Sequence, residues 1–277
     1  MKIIAYQGEP GAYSEAASKL IFKEDIELSP SATFEIVFNK VKKGKADFGV
    51  VPVENSLYGS VFETYDLLKK YSLKIIGELN LQINHYLMSN KKYKLKDLKK
   101  IYSHPQALGQ CSQFLNALKD VSILPVYDTA GAAKMIAENP VANEAAIASK
   151  RAAEVYGLKV IQGNIQNNSE NYTRFLVISK KATGVSSSNT KTSICFELKS
   201  MPGALFRALS VFALRDIDLT KIESRPIAKK TFEYVFYIDM KGNLADKRIK
   251  NAINHLKEIS HSLMIFGSYE EGKTFSG

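Results

Sequence analysis

Asn171-Tyr172-Thr173-Arg174-Phe175-Leu176-Val177-Ile178 leaves a polar loop, residues 166–171, and becomes an unbroken apolar run. That change of character marks a loop delivering a buried strand. Side chains alternate along a strand, so Thr173, Phe175 and Val177 share one face and Arg174, Leu176 and Ile178 the other. A hydroxyl and an aromatic ring then point the same way from the mouth of the strand. Such a pair suits a ring-shaped ligand that takes one hydrogen bond. The alternative is an edge strand whose threonine caps a turn. The rest of the chain must decide between the two.

Upstream, the pattern is strand then helix, repeated. Residues 2–6 (KIIAY) read as a buried strand, Gln7 to Gly11 as a glycine turn, and 12–22 as a helix. This arrangement leaves backbone N–H groups free to meet an anion, with Tyr13 and Ser14 in the first helical turn beside any ligand. Residues 33–43 form a second amphipathic helix closed by Gly44. Residues 47–53 form a strand that runs into Glu54 and Asn55, and a helix follows through about Tyr71. Glu54 and Asn55 thus stand at the carboxyl end of a strand, where open α/β sheets bind ligands. The competing reading is an Asx turn closing the loop.

Two extended runs, 73–76 and 79–88, precede a crossing into a second lobe. There, 100–103 is a strand, and Pro105 suits the first position of a helix running to about Leu118. Ser103 and Gln110 flank that helix start, where a carboxylate can be received. Solvated positions for Gln110 and a capping role for His104 are the plain alternatives. Cys111 falls in the helix's apolar stripe and reads as core. Strands at 121–126, 145–148 and 160–161 alternate with helices at 128–139 and 150–156, and the chain then returns to Thr173. Two α/β lobes with a cleft between them are expected.

Residues 180–190 (KKATGVSSSNT) are polar and without periodicity, so they read as a linker. Beyond it comes strand, helix, strand, strand, helix, strand: 193–199, 204–215, 218–227, 232–241, 244–260 and 263–269. This is the split βαββαβ order of ferredoxin-like units.

Composition narrows the function. The 277 residues are 45% hydrophobic and 24% charged, ordinary for a globular chain. The formal charge of +10 points to an anionic partner. Its main cluster, Lys91 to Lys100, contains a single aromatic residue, Tyr93, and the chain has no tryptophan, so nucleic-acid binding is not expected. Cys111 and Cys195 belong to no CxxC pair, which removes zinc and redox motifs. The opening residues do not form a signal peptide, and no apolar run suits a membrane helix. A cytoplasmic protein without a membrane partner is expected.

Six strings in order, YQGEPGAYSE (6–15), VPVENSLYGSV (51–61), SHPQALGQC (103–111), NYTRF (171–175), GALFRAL (203–209) and IESRP (222–226), resemble the monofunctional prephenate dehydratases with a C-terminal ACT regulatory domain. The resemblance spans essentially the whole chain. It implies a two-lobed, periplasmic-binding-protein-like catalytic domain over 1–180, with lobe one at about 1–78 and 160–180 and lobe two at about 79–159. A linker at 181–190 and an ACT domain at 191–277 follow. It implies decarboxylating dehydration of prephenate to phenylpyruvate, without metal or cofactor, and feedback inhibition by L-phenylalanine.

Carried over by motif, the catalytic residues would be Thr173, Glu54, Asn55, Ser103 and Gln110, with Phe175, Arg174, Tyr13 and Ser14 binding substrate. The effector site would involve Gly203, Ala204, Leu205, Glu223, Ser224, Arg225 and Pro226. Asp218 stands where the family commonly has asparagine, and Asn167 where it commonly has aspartate. A homodimer or homotetramer is expected. Arogenate, the amino counterpart of prephenate, is an alternative substrate, and a non-catalytic amino-acid sensor is an alternative of another class.

Overall fold

The computed structural model describes residues 1–23, 25–185, 189–199, 201–227 and 233–276. The middle of the expected linker, Ser186 to Ser188, and the expected strand position Phe232 lie outside the described residues.

The chain opens with β1 (Lys2–Gln7), α1 (Tyr13–Phe22), β2 (Ile26–Ser31), α2 (Phe34–Lys43), β3 (Phe48–Asn55), β4 (Gly59–Ser60), α3 (Phe62–Tyr71) and β5 (Lys74–Gln82). There follow β6 (Tyr86–Ser89), β7 (Lys100–Ser103), α4 (Pro105–Gln110), α5 (Ser112–Asn116), β8 (Ser122–Pro125), α6 (Thr129–Glu138), β9 (Glu144–Ala148), α7 (Lys150–Tyr156), β10 (Lys159–Gln162) and β11 (Tyr172–Ser179). The remainder is β12 (Thr190–Leu198), α8 (Ala204–Ala213), β13 (Leu219–Pro226), β14 (Tyr234–Lys241), α9 (Lys247–Ile259), β15 (Ser260–Glu270) and β16 (Lys273–Phe275).

Among the described residues these strands make three sheets. The first runs β16-β5-β11-β3-β1-β2, with β4 on β3; the second runs β10-β6-β9-β7-β8; the third runs β13-β14-β12-β15. The expected mixed α/β class is what the chain adopts, and the third sheet with α8 and α9 is the anticipated βαββαβ unit.

Two compact units can be drawn. One holds Met1–Val61, Leu79–Phe175 and Lys273–Gly277, and the other Phe62–Glu78 and Leu176–Gly272. The first unit holds most of the two expected lobes, while Phe62–Glu78 and residues 176–180 of the expected lobe one fall in the second unit. In the first unit, β1 pairs in parallel with β2 and β3, and β7 with β8 and β9, while β6 pairs antiparallel with β9 and β10. The chain crosses between these sheets at Ile83-Asn84-His85 and returns at 163–171. The two crossing segments bond each other: Ile83 N–H donates to the Asn171 carbonyl at 2.7 Å and Ile165 N–H to the His85 carbonyl at 3.1 Å.

Local chemistry sets the elements around the cleft. The Thr33 hydroxyl caps α2 by accepting from Ile36 N–H, and Gly44 closes it with φ 73°. Asp128 caps α6 and Ser149 caps α7 in the same way. The apolar stripes of α6 and α7 (Ala130, Ala133, Ile136, Ala152, Ala153) pack on Met88, Ala146 and Ala148 of the second sheet.

Some elements differ from expectation. The break between the runs at 73–76 and 79–88 falls at residues 83–85, not at Gly77, because the Gln166 side chain takes the His85 N–H at 3.0 Å and ends the ladder. The helix expected over 105–118 is two, broken at Cys111 (φ −109°, ψ 15°). Asn167 holds the break: its N–H donates to the Gln110 carbonyl, and its amide bonds the Gly109 carbonyl and Ser112 Oγ. Strands β2 and β16 carry weak patterns, Ile26–Ser31 including Pro30, and gain their strand character from the neighbours β1 and β5.

In the second unit, α3 packs beside the third sheet through Tyr65 against Tyr237 (ring centroids 5.0 Å) and Arg225 against Asp66 (3.0 Å). Lys191 Nζ bonds the fully buried Glu78 carboxylate at 2.9 Å and reaches Glu271 at 3.3 Å. Gly272 N–H also donates to the Glu78 carboxylate, at 2.9 Å.

Candidate active site

The first unit holds a cavity of about 340 Å³. Strand ends supply Gln7 from β1, Pro52 and Asn55 from β3, and Thr173 and Phe175 from β11. The first turns of α1, α2, α4 and α6 supply Tyr13, Ser14, Phe34, Gln106, Ala107 and Thr129. The crossing supplies Ile83 and His85. Ligands of open α/β folds sit at such strand ends, and helix N-termini there favour anions.

Asn55 organises the wall. Its carbonyl oxygen accepts from Leu57 and Tyr58 N–H (3.0 and 3.1 Å), the Asx turn weighed from sequence. Its amide donates to Asn171 Oδ1 (2.8 Å), to Thr173 Oγ1 (3.0 Å) and to the Tyr172 carbonyl (3.2 Å). Asn55 is 5% exposed, so the turn and the site role coexist in one side chain. Thr173 Oγ1 accepts from Asn55, and a hydroxyl that accepts one hydrogen bond still has its own proton to donate. Phe175, 2% exposed, lies two residues on along the same face.

A second chain of polar groups joins the lobes. His85 Nε2 donates to Gln110 Oε1 at 2.6 Å, and its Nδ1 stands 3.1 Å from the Tyr13 hydroxyl. That hydroxyl donates to the Asn84 carbonyl at 2.6 Å. Burial lowers the His85 pKa, against the smaller opposing effect of the Gln110 bond, and keeps the imidazole neutral. The unfolded chain therefore binds the extra proton first, so this contribution to stability is complete above about pH 6.5 and is lost as pH falls below it. The melting temperature is expected to fall through this range, and His85→Gln to flatten the slope; an unchanged slope would remove His85 as its source.

Of the residues expected at the site, Thr173, Asn55, Gln110, Phe175, Tyr13 and Ser14 line the cavity. Three do not. Ser103 is fully buried and its hydroxyl donates to the Ile147 carbonyl at 2.6 Å, inside the second sheet. Glu54 does not line the cavity, and its carboxylate stands 3.8 Å from Arg174. Arg174 is excluded by strand alternation beside Thr173. Cys111 is buried and its thiol is pushed up to about 12 by desolvation, as befits core. His85 and Asp128 line the cavity without having been assigned to it. Asp128 opens the helix expected over 128–139, whereas His85 is a lone histidine whose placement depends on the crossing.

In the second unit, Gly203 (φ 76°) precedes α8 with Ala204 and Leu205 in its first turn. Glu223 to Pro226 end the edge strand β13. Asp218 pairs with Lys241 at 3.0 Å and Glu223 with Lys221 at 3.7 Å, and Ser224 stands opposite Phe236 in the ladder.

Residues 4–183 match the prephenate dehydratase family. The chain belongs to that family. As a prephenate dehydratase family member it is a dehydratase of the lyase type. It is 43% identical over 276 residues to the chloroplastic arogenate dehydratase/prephenate dehydratase 2 of Arabidopsis thaliana, covering 96% of this chain and 72% of that one. The solved prephenate dehydratase of Arthrobacter aurescens in complex with L-Phe is 31% identical, with a TM-score of 0.89 over 97% of this chain and 89% of that one. A structure described as a novel type of quorum-quenching acylase is 30% identical, with a TM-score of 0.89 over 98% of both chains.

Proposed function

We propose that this member of the family removes water and carbon dioxide from prephenate to give phenylpyruvate, or from arogenate to give phenylalanine. The observation that carries the reading is the Thr173 hydroxyl, held by Asn55 on a cavity wall beside Phe175. In either substrate the ring C–O bond breaks with its pair on oxygen, which takes a proton and leaves as water. The bond to the carboxylate breaks with its pair entering the ring, which becomes aromatic. A preorganised donor aimed at the departing oxygen stabilises the charge that develops there. The Phe175 ring fills the cavity beside the substrate ring.

Substrate carboxylates meet the first turn of α1, which has no side-chain cap, together with the Ser14 hydroxyl. Ser103, Glu54 and Arg174 have no direct part, and Gln110 acts through His85. Purified protein mixed with each substrate tests this: phenylpyruvate or phenylalanine is expected to accumulate. Binding without product would support a sensor instead.

For regulation, we infer that L-phenylalanine binds the βαββαβ unit near Gly203 to Leu205, with Glu223 to Pro226 and Asp218 shaping the site, in a homodimer or homotetramer. The L-Phe complex of the Arthrobacter aurescens relative supports this, as do the exposed apolar residues Phe206 and Leu214 near α8. Titration calorimetry with phenylalanine is expected to show binding that lowers activity; no heat and no change in rate would remove the effector reading.

A further inference from the structure

We propose that Asp128 reads the substrate side chain by accepting its ammonium group, so that arogenate is preferred over prephenate. The inference rests on the reaction assigned above and names its substrate. The two candidates share a ring, a leaving hydroxyl and two carboxylates. They differ at one position, where prephenate carries a ketone and arogenate an ammonium. A ketone only accepts hydrogen bonds, and an ammonium only donates them.

Among the described residues, the cavity lining holds one carboxylate, Asp128, and neither lysine nor arginine. Two histidines also line the cavity, and His104 lowers the Asp128 pKa against the larger effect of burial. Burial keeps His85 neutral. His104 accepts the Gln106 N–H through Nδ1 at 3.2 Å. Asp128 Oδ1 is taken by the Gly131 N–H at 2.8 Å. Oδ2 faces the Gly8 turn, 3.3 Å from where a side chain on Gly8 would begin, with no cation bound to it. Burial, the largest influence, raises the Asp128 pKa, against the lowering effect of the Gly131 and Ala130 N–H groups and of His104.

Placement agrees with the chemistry. Thr173 stands on the first sheet and Asp128 at the start of α6, which packs on the second. In the substrate the hydroxyl and the side chain occupy opposite ends of the ring. A substrate that gives its hydroxyl to Thr173 therefore carries its side chain toward the other lobe. An ammonium there relieves the Asp128 charge, whereas a ketone flanked by a carboxylate meets repulsion. The plain alternative is that Asp128 only caps α6.

The test compares kcat/KM for arogenate and prephenate in the wild type and in Asp128→Asn. Asparagine caps helices as well as aspartate does, so the fold is kept. The ratio of the two substrates also does not depend on how much protein is folded. The wild type is expected to favour arogenate. Asp128→Asn is expected to lower arogenate kcat/KM by about 10- to 100-fold, the range of a lost charge-assisted hydrogen bond, and to raise that for prephenate. A wild type that prefers prephenate, or a variant that changes both substrates by one factor, would overturn the role of Asp128. Turnover of neither substrate by the wild type would instead overturn the reaction itself.

Discussion

Thr173→Ala is expected to lower kcat by about 10²- to 10³-fold, the effect of removing one preorganised donor to a developing oxyanion. Geometry confines the loss to the chemical step. The Asn55 amide that donates to Thr173 Oγ1 also donates to Asn171 Oδ1 and reaches the Tyr172 carbonyl, so it retains partners in the variant. The wall keeps its shape, and Phe175 stays buried. Stability should therefore fall by only about 1 kcal/mol, the net worth of one hydrogen bond. KM should move little, because the hydroxyl contributes chiefly when charge builds on the leaving oxygen. Thr173→Ser keeps the donor and should recover most of the rate. Near-normal turnover in the alanine variant would remove Thr173 as the leaving-group donor. A collapse in melting temperature would assign it to the fold instead.

How far the site was legible depends on what sort of signal each residue sends. Thr173 and Phe175 were found because strand alternation is a local rule. The same rule sets Arg174 apart from the cavity beside Thr173. It does not by itself exclude Glu54, since Pro52 on the same strand lines the cavity together with Asn55; Glu54 instead meets Arg174. Ser103 ends its strand at a helix start, the right kind of place, yet its hydroxyl turns inward to the Ile147 carbonyl. No local pattern distinguishes those two directions.

His85 is the opposite case. Its setting is made by Tyr13 from 72 positions earlier and Gln110 from 25 later, and neither separation shows in periodicity. The fold divides the same way. Helices with caps and apolar stripes, such as α2 and α6, announce themselves. Strands β2 and β16 exist because β1 and β5 present an open edge. The βαββαβ order was legible because its runs of strand and helix residues follow one another in that order, with the alternation kept in β13.

Gly11→Ala is expected to be the most damaging small substitution in the first unit, and the reason is steric. Gly11 has φ 92°, a conformation that side chains rarely adopt. A Cβ there would stand 2.7 Å from Ala152 Cα and 3.2 Å from its N. Those are backbone atoms at the start of α7, so nothing can swing aside. The approach is fixed from both sides, by Ser149 Oγ donating to the Gly11 carbonyl at 2.6 Å and by Gly11 N–H donating to Glu15. Backbone strain and overpacking together cost roughly 2–6 kcal/mol, a large share of the 5–15 kcal/mol typical of a folded chain.

Gly59 separates the two causes. It too has positive φ, 76°, but a Cβ there meets nothing within 4 Å. Gly59→Ala should lose only the strain, about 1–3 kcal/mol. Urea unfolding of both variants therefore measures the clash by difference. Gly11→Ala should also lower kcat/KM, since relieving the overlap shifts the first turn of α1, where Tyr13 and Ser14 face the cavity. If the two variants unfold at the same urea concentration, α7 is not seated against the Gly11 turn in solution, and the cleft wall built from that contact has to be drawn differently.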